Sequence, residues 1–102
     1  MTRDDFERSL AQAGPPRALG APLAALWWAK RGDWDKAHRI VMDETGADDA
    51  WVHAYLHRVE GDLGNAAYWY RRADKRTATG DLDVEWSAIV AALLQAAARR
   101  TT

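Results

Sequence analysis

The chain has 102 residues, no cysteine and a formal net charge of −1 at pH 7. This length suits a single domain, and the missing cysteines exclude disulfide bonds and thiolate metal ligands. The near-neutral charge disfavours nucleic acid and anionic membrane surfaces as partners.

The first 18 residues are predicted to form an N-terminal extension. Residues 3–13 suit a short helix with Phe6 and Leu10 on one face, and Gly14-Pro15-Pro16 ends it because proline lacks an amide donor. The segment lacks the apolar stretch of a secretion signal, and no segment reaches the roughly 18 apolar residues of a membrane span. We therefore expect a cytoplasmic protein, and whether the extension packs on the core stays open.

Two helices are predicted between Pro22 and Gly46, separated by Gly32-Asp33. Glycine suits the left-handed end of a helix, and aspartate suits the cap that begins the next one. The second of these helices has an apolar face at helical spacing, formed by Trp34, Ala37, Ile40 and Val41.

Three further helices are predicted after Gly46. The first begins at Asp48 or Asp49 and runs to Glu60, and Gly61-Asp62 then separates it from the second. The second carries an apolar face of Leu63, Ala66, Trp69, Tyr70 and Ala73. The third lies within residues 81–100, with an apolar face of Trp86, Ile89, Val90, Leu93, Leu94 and Ala97. No alternating apolar run reaches five residues, so no strand is predicted.

Two stretches repeat one pattern at a constant offset of 29 residues. They are Gly32-Asp33-Trp34 with Ala37 and Val41, and Gly61-Asp62-Leu63 with Ala66 and Tyr70. Residues 19–76 thereby resemble tetratricopeptide repeats, which are helix–turn–helix units of about 34 residues. The short offset, the missing closing proline and Glu44 at the position equivalent to Ala73 depart from that family.

The resemblance implies an all-α fold of antiparallel helical hairpins. Two tetratricopeptide-like units would stack side by side, and the helix at 81–100 would cap the stack. The segment from Trp51 to Asp62, together with Tyr68 to Ala73, also resembles a small group of uncharacterised proteins, which implies no mechanism.

The main functional hypothesis is a non-enzymatic interaction module. The repeat resemblance implies binding of a protein or peptide, or of a second copy of the chain, without a cofactor. No nucleophile stands on a glycine elbow and no phosphate-binding loop is present, so we expect no enzyme. Aromatic residues and arginine dominate binding energy at interfaces, and they define the candidate surface Trp27, Trp28, Trp51, Tyr55 and Arg58.

The alternative hypothesis is a transition-metal site, with zinc as the typical ion. His53, His57 and Glu60 lie at i, i+4 and i+7, which places them on one face of a helix. Ala54 follows the first histidine, so the zinc-protease motif is absent. A third ligand would have to come from the preceding segment, where Asp43, Glu44 and His38 are the candidates.

A purely structural role for the histidines competes with the metal site. In the repeat register, His53 and His57 face the partner helix and would be partly buried. Buried imidazoles need hydrogen-bond partners, and Tyr70 and nearby carboxylates could supply them.

Overall fold

Six α-helices form the regular structure of residues 1–100, which this computed structural model describes apart from the side chain of Arg100. Within these residues there is no strand, so the predicted all-α class is confirmed. No helix in residues 1–100 is both long and apolar enough to cross a bilayer. The helices are α1 (Arg3–Ser9), α2 (Ala21–Lys30), α3 (Trp34–Val41), α4 (Ala47–Val59), α5 (Leu63–Arg72) and α6 (Leu82–Arg100).

Helix α4 lies at the centre of the molecule. It packs most extensively on α5 and also contacts α2, α3 and α6, while α2 packs on α3. All side chains from Val52 to His57 are buried, because neighbouring helices cover α4 on more than one side. Helix α6 packs against α1, α2 and α4.

The two turns that contain Gly32 and Gly61 have the same backbone structure. Both glycines lie in the left-handed region, with φ of 84° and 86°. At each turn, the glycine amide and the following aspartate amide donate to carbonyls three and five residues earlier. The side chains of Asp33 and Asp62 then each accept from an amide in the first turn of the next helix. The repeated sequence thus produces a repeated Schellman-type turn and helix cap.

Some helix boundaries differ from the sequence-based prediction. Helix α1 ends at Ser9, because the following amides bond to carbonyls only three residues earlier. Helix α3 ends at Val41 and does not reach Gly46. Helix α4 begins at Ala47, one or two residues earlier than predicted, with Gly46 as its N-cap.

The N-terminal extension packs on the helical core. The Phe6 ring is fully buried, and its centroid lies 5.9 Å from that of Trp86 on α6. The Ser9 hydroxyl accepts a hydrogen bond of 3.1 Å from the indole of Trp27. This answers the question that the sequence left open, because α1 covers the apolar surface shared by α2 and α6.

Candidate metal centre

The three histidines of the chain meet in one cluster. His38 comes from α3, and His53 and His57 come from α4. The Nε2 atoms of His38 and His53 are 3.0 Å apart, and the three potential ligand nitrogens all lie within 4.8 Å of one another. Ring centroids are separated by 4.7 Å to 5.2 Å. Among the three predicted candidates for a third ligand, His38 is therefore the one beside the pair.

Local geometry explains how the cluster forms. His53 and His57 are one helical turn apart, so their imidazoles lie on the same face of α4 and stack with 27° between their planes. Packing of α3 on α4 brings His38 against both rings. The other two candidates, Asp43 and Glu44, are exposed in the loop between these helices and do not belong to the cluster.

Glu60 orients one histidine of the cluster. Its Oε1 atom is 2.6 Å from Nδ1 of His57. An ionised carboxylate only accepts, so Nδ1 of His57 donates to Glu60, and Nε2 is the nitrogen of that ring left to face a metal ion. Histidines that bind metal ions generally donate their second nitrogen to such a partner. From the sequence, Glu60 could either join His53 and His57 as a ligand or orient them, and this geometry favours the orienting position.

Two tryptophans cover the faces of the histidine rings. The Trp34 ring stacks on His38 at 4.7 Å, and the Trp69 ring stacks on His53 at 4.0 Å. The Trp34 indole also donates a 2.6 Å hydrogen bond to the carbonyl of Leu56 on α4. The i, i+4 spacing of Trp34 and His38 was a readable signal for their contact. Trp69 lies on α5 and had no local signal, because helix packing alone brings it to His53.

Burial favours the neutral forms of His38 and His53. It lowers the pKa of His53 from 6.5 to about 4, and positive charge on His38 or His57 would lower it further. The pKa of His38 is lowered for the same two reasons, burial first and then the charge of His57. A neutral imidazole has one nitrogen with a lone pair for a metal ion, so the lowered pKa values favour His38 and His53 as ligands near pH 7.

The spacing of the nitrogens is close to that of a zinc site. Zn–N bonds of about 2.0–2.1 Å at tetrahedral angles place ligand nitrogens about 3.3 Å apart. The His38–His53 pair, at 3.0 Å, is near that value. The widest pair of nitrogens, at up to 4.8 Å, would have to move closer by about 1.5 Å to reach the same spacing, which side-chain rotation can supply.

The predicted aromatic surface is not one exposed patch. Trp27 is fully buried, and Tyr55 is only 6% exposed and belongs to the core. Trp28 and Trp51 are half-buried, and the ammonium groups of Lys36 and Lys75 lie over their respective rings. Apolar packing removes two of the four aromatic rings of this surface from solvent, because α2 and α4 are enclosed by neighbouring helices.

Arg58, the remaining member of that surface, is held in a polar network. Its guanidinium donates a 2.8 Å hydrogen bond to the buried carboxylate of Glu85 and also bonds the carbonyl of Gly80. The Tyr70 hydroxyl donates to the other oxygen of Glu85. Burial, followed by this hydrogen bond, raises the pKa of Tyr70. The network links α4, α5 and α6, and it corrects the expectation that Tyr70 would be a partner of the histidines.

Comparison of the chain with protein-family models, curated proteins and solved structures gave no match. The functional proposal therefore rests on the geometry of the site.

Proposed function

We propose that this protein binds one transition-metal ion through His38, His53 and His57. The observation that carries the proposal is the convergence of the three ring nitrogens within 4.8 Å. Two further features support it: the lowered pKa values of His38 and His53, and the carboxylate of Glu60 on the outer nitrogen of His57.

The donor set favours zinc or a neighbouring late transition metal. Three neutral imidazoles suit Zn²⁺, Cu²⁺ and Ni²⁺, whereas Ca²⁺ and Mg²⁺ require oxygen ligands. His53 and His57 are 4% and 6% exposed, so the ion would lie inside the protein, between α3 and α4. Such an ion would stabilise the fold, because it binds the assembled site and not the unfolded chain.

Metal binding is tested with protein that carries no polyhistidine tag. Calorimetric titration with Zn²⁺ should give a stoichiometry of one ion per chain, and the same titration with Mg²⁺ should give no binding. Zinc at about 100 times its dissociation constant should raise the free energy of unfolding by about 2.7 kcal/mol, measured by thermal or chemical denaturation. Absence of zinc binding at pH 7.5 would remove the proposal.

Matched variants separate the site from non-specific binding. We expect His38→Gln to abolish stoichiometric binding, because it removes one of the three ligands. The fold should stay intact, since His38 is only half-buried. Glu60→Gln should weaken affinity about 10- to 100-fold without removing the site, because it perturbs an orienting partner. Glu44→Gln changes an exposed carboxylate outside the cluster and should bind zinc like the wild type. Equal affinity in all three variants would place the metal elsewhere.

We further propose that the two hairpins are tetratricopeptide-like units. The matching turns at Gly32 and Gly61 and the packing of α2 on α3 and of α4 on α5 support this arrangement. Binding of a protein or peptide remains the function that the repeat resemblance implies. The metal site has stronger support, because burial withdraws Trp27 and Tyr55 from any partner.

A further inference from the structure

We infer that a metal ion held by the three histidines keeps one coordination position for an exchangeable small ligand, water or a small inorganic anion. This inference rests on the proposed metal site and specifies what else that site binds. It follows from the number of side-chain ligands and from a cavity that adjoins the cluster.

The described residues supply three ligands to the cluster and no fourth. In residues 1–100 no further histidine, aspartate or glutamate side chain joins the group of His38, His53 and His57. Glu60 and Asp62 form a separate group with His57, and Glu60 is already bonded to the Nδ1 atom of that ring. Zinc sites with three protein ligands complete their tetrahedron with water or an exogenous ligand, whereas structural sites use four protein ligands.

A cavity of about 360 Å³ lies between the loop that follows α3 and the helices α4 and α5. Its lining includes Met42, one turn beyond His38 at the C-cap of α3, and Ala50, one turn before His53 on α4. Trp69, which stacks on His53, forms another part of the lining. The cavity therefore reaches the neighbours of the cluster, although none of the three histidines lines it, and its size admits water and ions of a few atoms.

The charge of the site explains the preference for an anion. Three neutral imidazoles leave the full double positive charge of the ion uncompensated. The cavity itself is mixed in charge, since Arg72 lines it together with Asp43 and Glu44. Attraction of an anion would thus come from the metal ion itself.

Cobalt(II) provides a direct readout of this position. The full-length protein is loaded with one equivalent of Co²⁺, and its visible absorption spectrum is recorded during titration with sodium azide and, separately, sodium thiocyanate. We expect each anion to shift the cobalt bands and change their intensity, with saturation at one anion per cobalt. Sodium sulfate at the same ionic strength is the control for the effect of salt, and it should leave the spectrum unchanged because sulfate is a weaker ligand.

The outcomes separate this inference from the proposed function. If cobalt binds at one ion per chain but azide and thiocyanate leave its spectrum unchanged, the exchangeable position is refuted and the metal site remains. If the protein binds no cobalt, the metal site and the inference fall together. If sodium sulfate changes the spectrum as azide does, the change reflects added salt and the exchangeable position is refuted.

Discussion

At the scale of single residues, burial favours the neutral form of His53. His53 is covered by Trp69 on one side and by His38 and His57 on the others, so its protonation would place a charge away from water beside two further imidazoles. The protonated form of His53 is therefore disfavoured, and in the neutral form one nitrogen of its ring keeps a lone pair. A chain that placed these residues on its surface would have three ordinary, independently titrating histidines.

The first prediction concerns the pH dependence of the metal-free protein. The pKa of His53 is lowered to about 4 from 6.5, so between these values the unfolded chain binds more protons than the folded one. Stability should therefore be complete above pH 6.5 and fall on acidification, by up to about 2 kcal/mol at pH 5. The lowered pKa of His38 acts in the same direction.

Chemical denaturation in EDTA at pH 7.5, 6.5, 5.8 and 5.0 measures this effect. These values stay above the range in which most carboxylates titrate. His53→Gln removes the titrating group and should show a flatter dependence than the wild type. An unchanged slope in that variant would show that other groups control the acid response.

The second prediction concerns the indole of Trp34. Replacement by phenylalanine keeps most of the ring contact with His38 but removes the hydrogen bond to the carbonyl of Leu56. The expected loss is about 1 kcal/mol in the free energy of unfolding, measured by denaturant titration. Trp28→Phe, also at a half-buried position on a neighbouring helix, is the matched control, and an equal loss in both variants would argue against a special role of the hydrogen bond.

At the scale of helices, sequence patterns were sufficient to place the elements but not all their ends. The Gly-Asp pairs marked the two hairpin turns because left-handed glycine and capping aspartate are local requirements. The start of α4 was placed too late, because Asp49 was taken as a possible N-cap. In the structure Gly46 is the N-cap, and Asp49 lies in the first turn of the helix. The His53–His57 pair was readable at i, i+4, whereas its contacts with His38 and Trp69 depend on how three helices pack.

The third prediction tests the close contact of α4 with α5. Ala66 is 1% exposed and packs with Ala54 and Tyr70. Ala66→Leu adds volume that this contact cannot accept, so it should destabilise the protein by about 1–3 kcal/mol in denaturant titration. Ala67→Leu, at the half-buried neighbouring position, should cost clearly less. Similar stabilities for the two variants would contradict the packing of α5 described here.

The fourth prediction concerns the end of α5. Among the described residues, Asp74 is the non-glycine residue with a left-handed backbone, at φ of 58°. Asp74→Gly should stabilise the protein by about 0.5–1 kcal/mol, because glycine adopts this conformation without a steric penalty. Gly61→Ala, at φ of 86°, makes the reverse change and should destabilise by about 1 kcal/mol. Thermal unfolding of both variants checks the pair, and a shift of the same sign in both would contradict the argument.

At the scale of the whole molecule, the N-terminal extension is part of the folded domain. The sequence showed an apolar face on residues 3–13 but gave no indication of the surface that would cover it. The structure places Phe6 against Trp86, near the opposite end of the chain, and Arg3 within 2.7 Å of the Ser87 hydroxyl. Contacts of such sequence separation follow from global packing, which no local pattern specifies.

The fifth prediction follows from this packing. Phe6→Ala removes a fully buried ring and should destabilise the protein by about 3–5 kcal/mol, measured by denaturant titration. Leu63→Ala removes an apolar side chain that is 65% exposed, and we expect a change within about 0.5 kcal/mol. A small effect of Phe6→Ala would mean that α1 is dispensable for the fold.

The location of the histidine cluster has a consequence for cooperativity. His38 belongs to the helix pair α2–α3, whereas His53 and His57 belong to the pair α4–α5. Helix α6 already packs on both α2 and α4. An ion bound by the three histidines would add a direct link between the two helix pairs, so we expect the metal-loaded protein to unfold more cooperatively than the metal-free one.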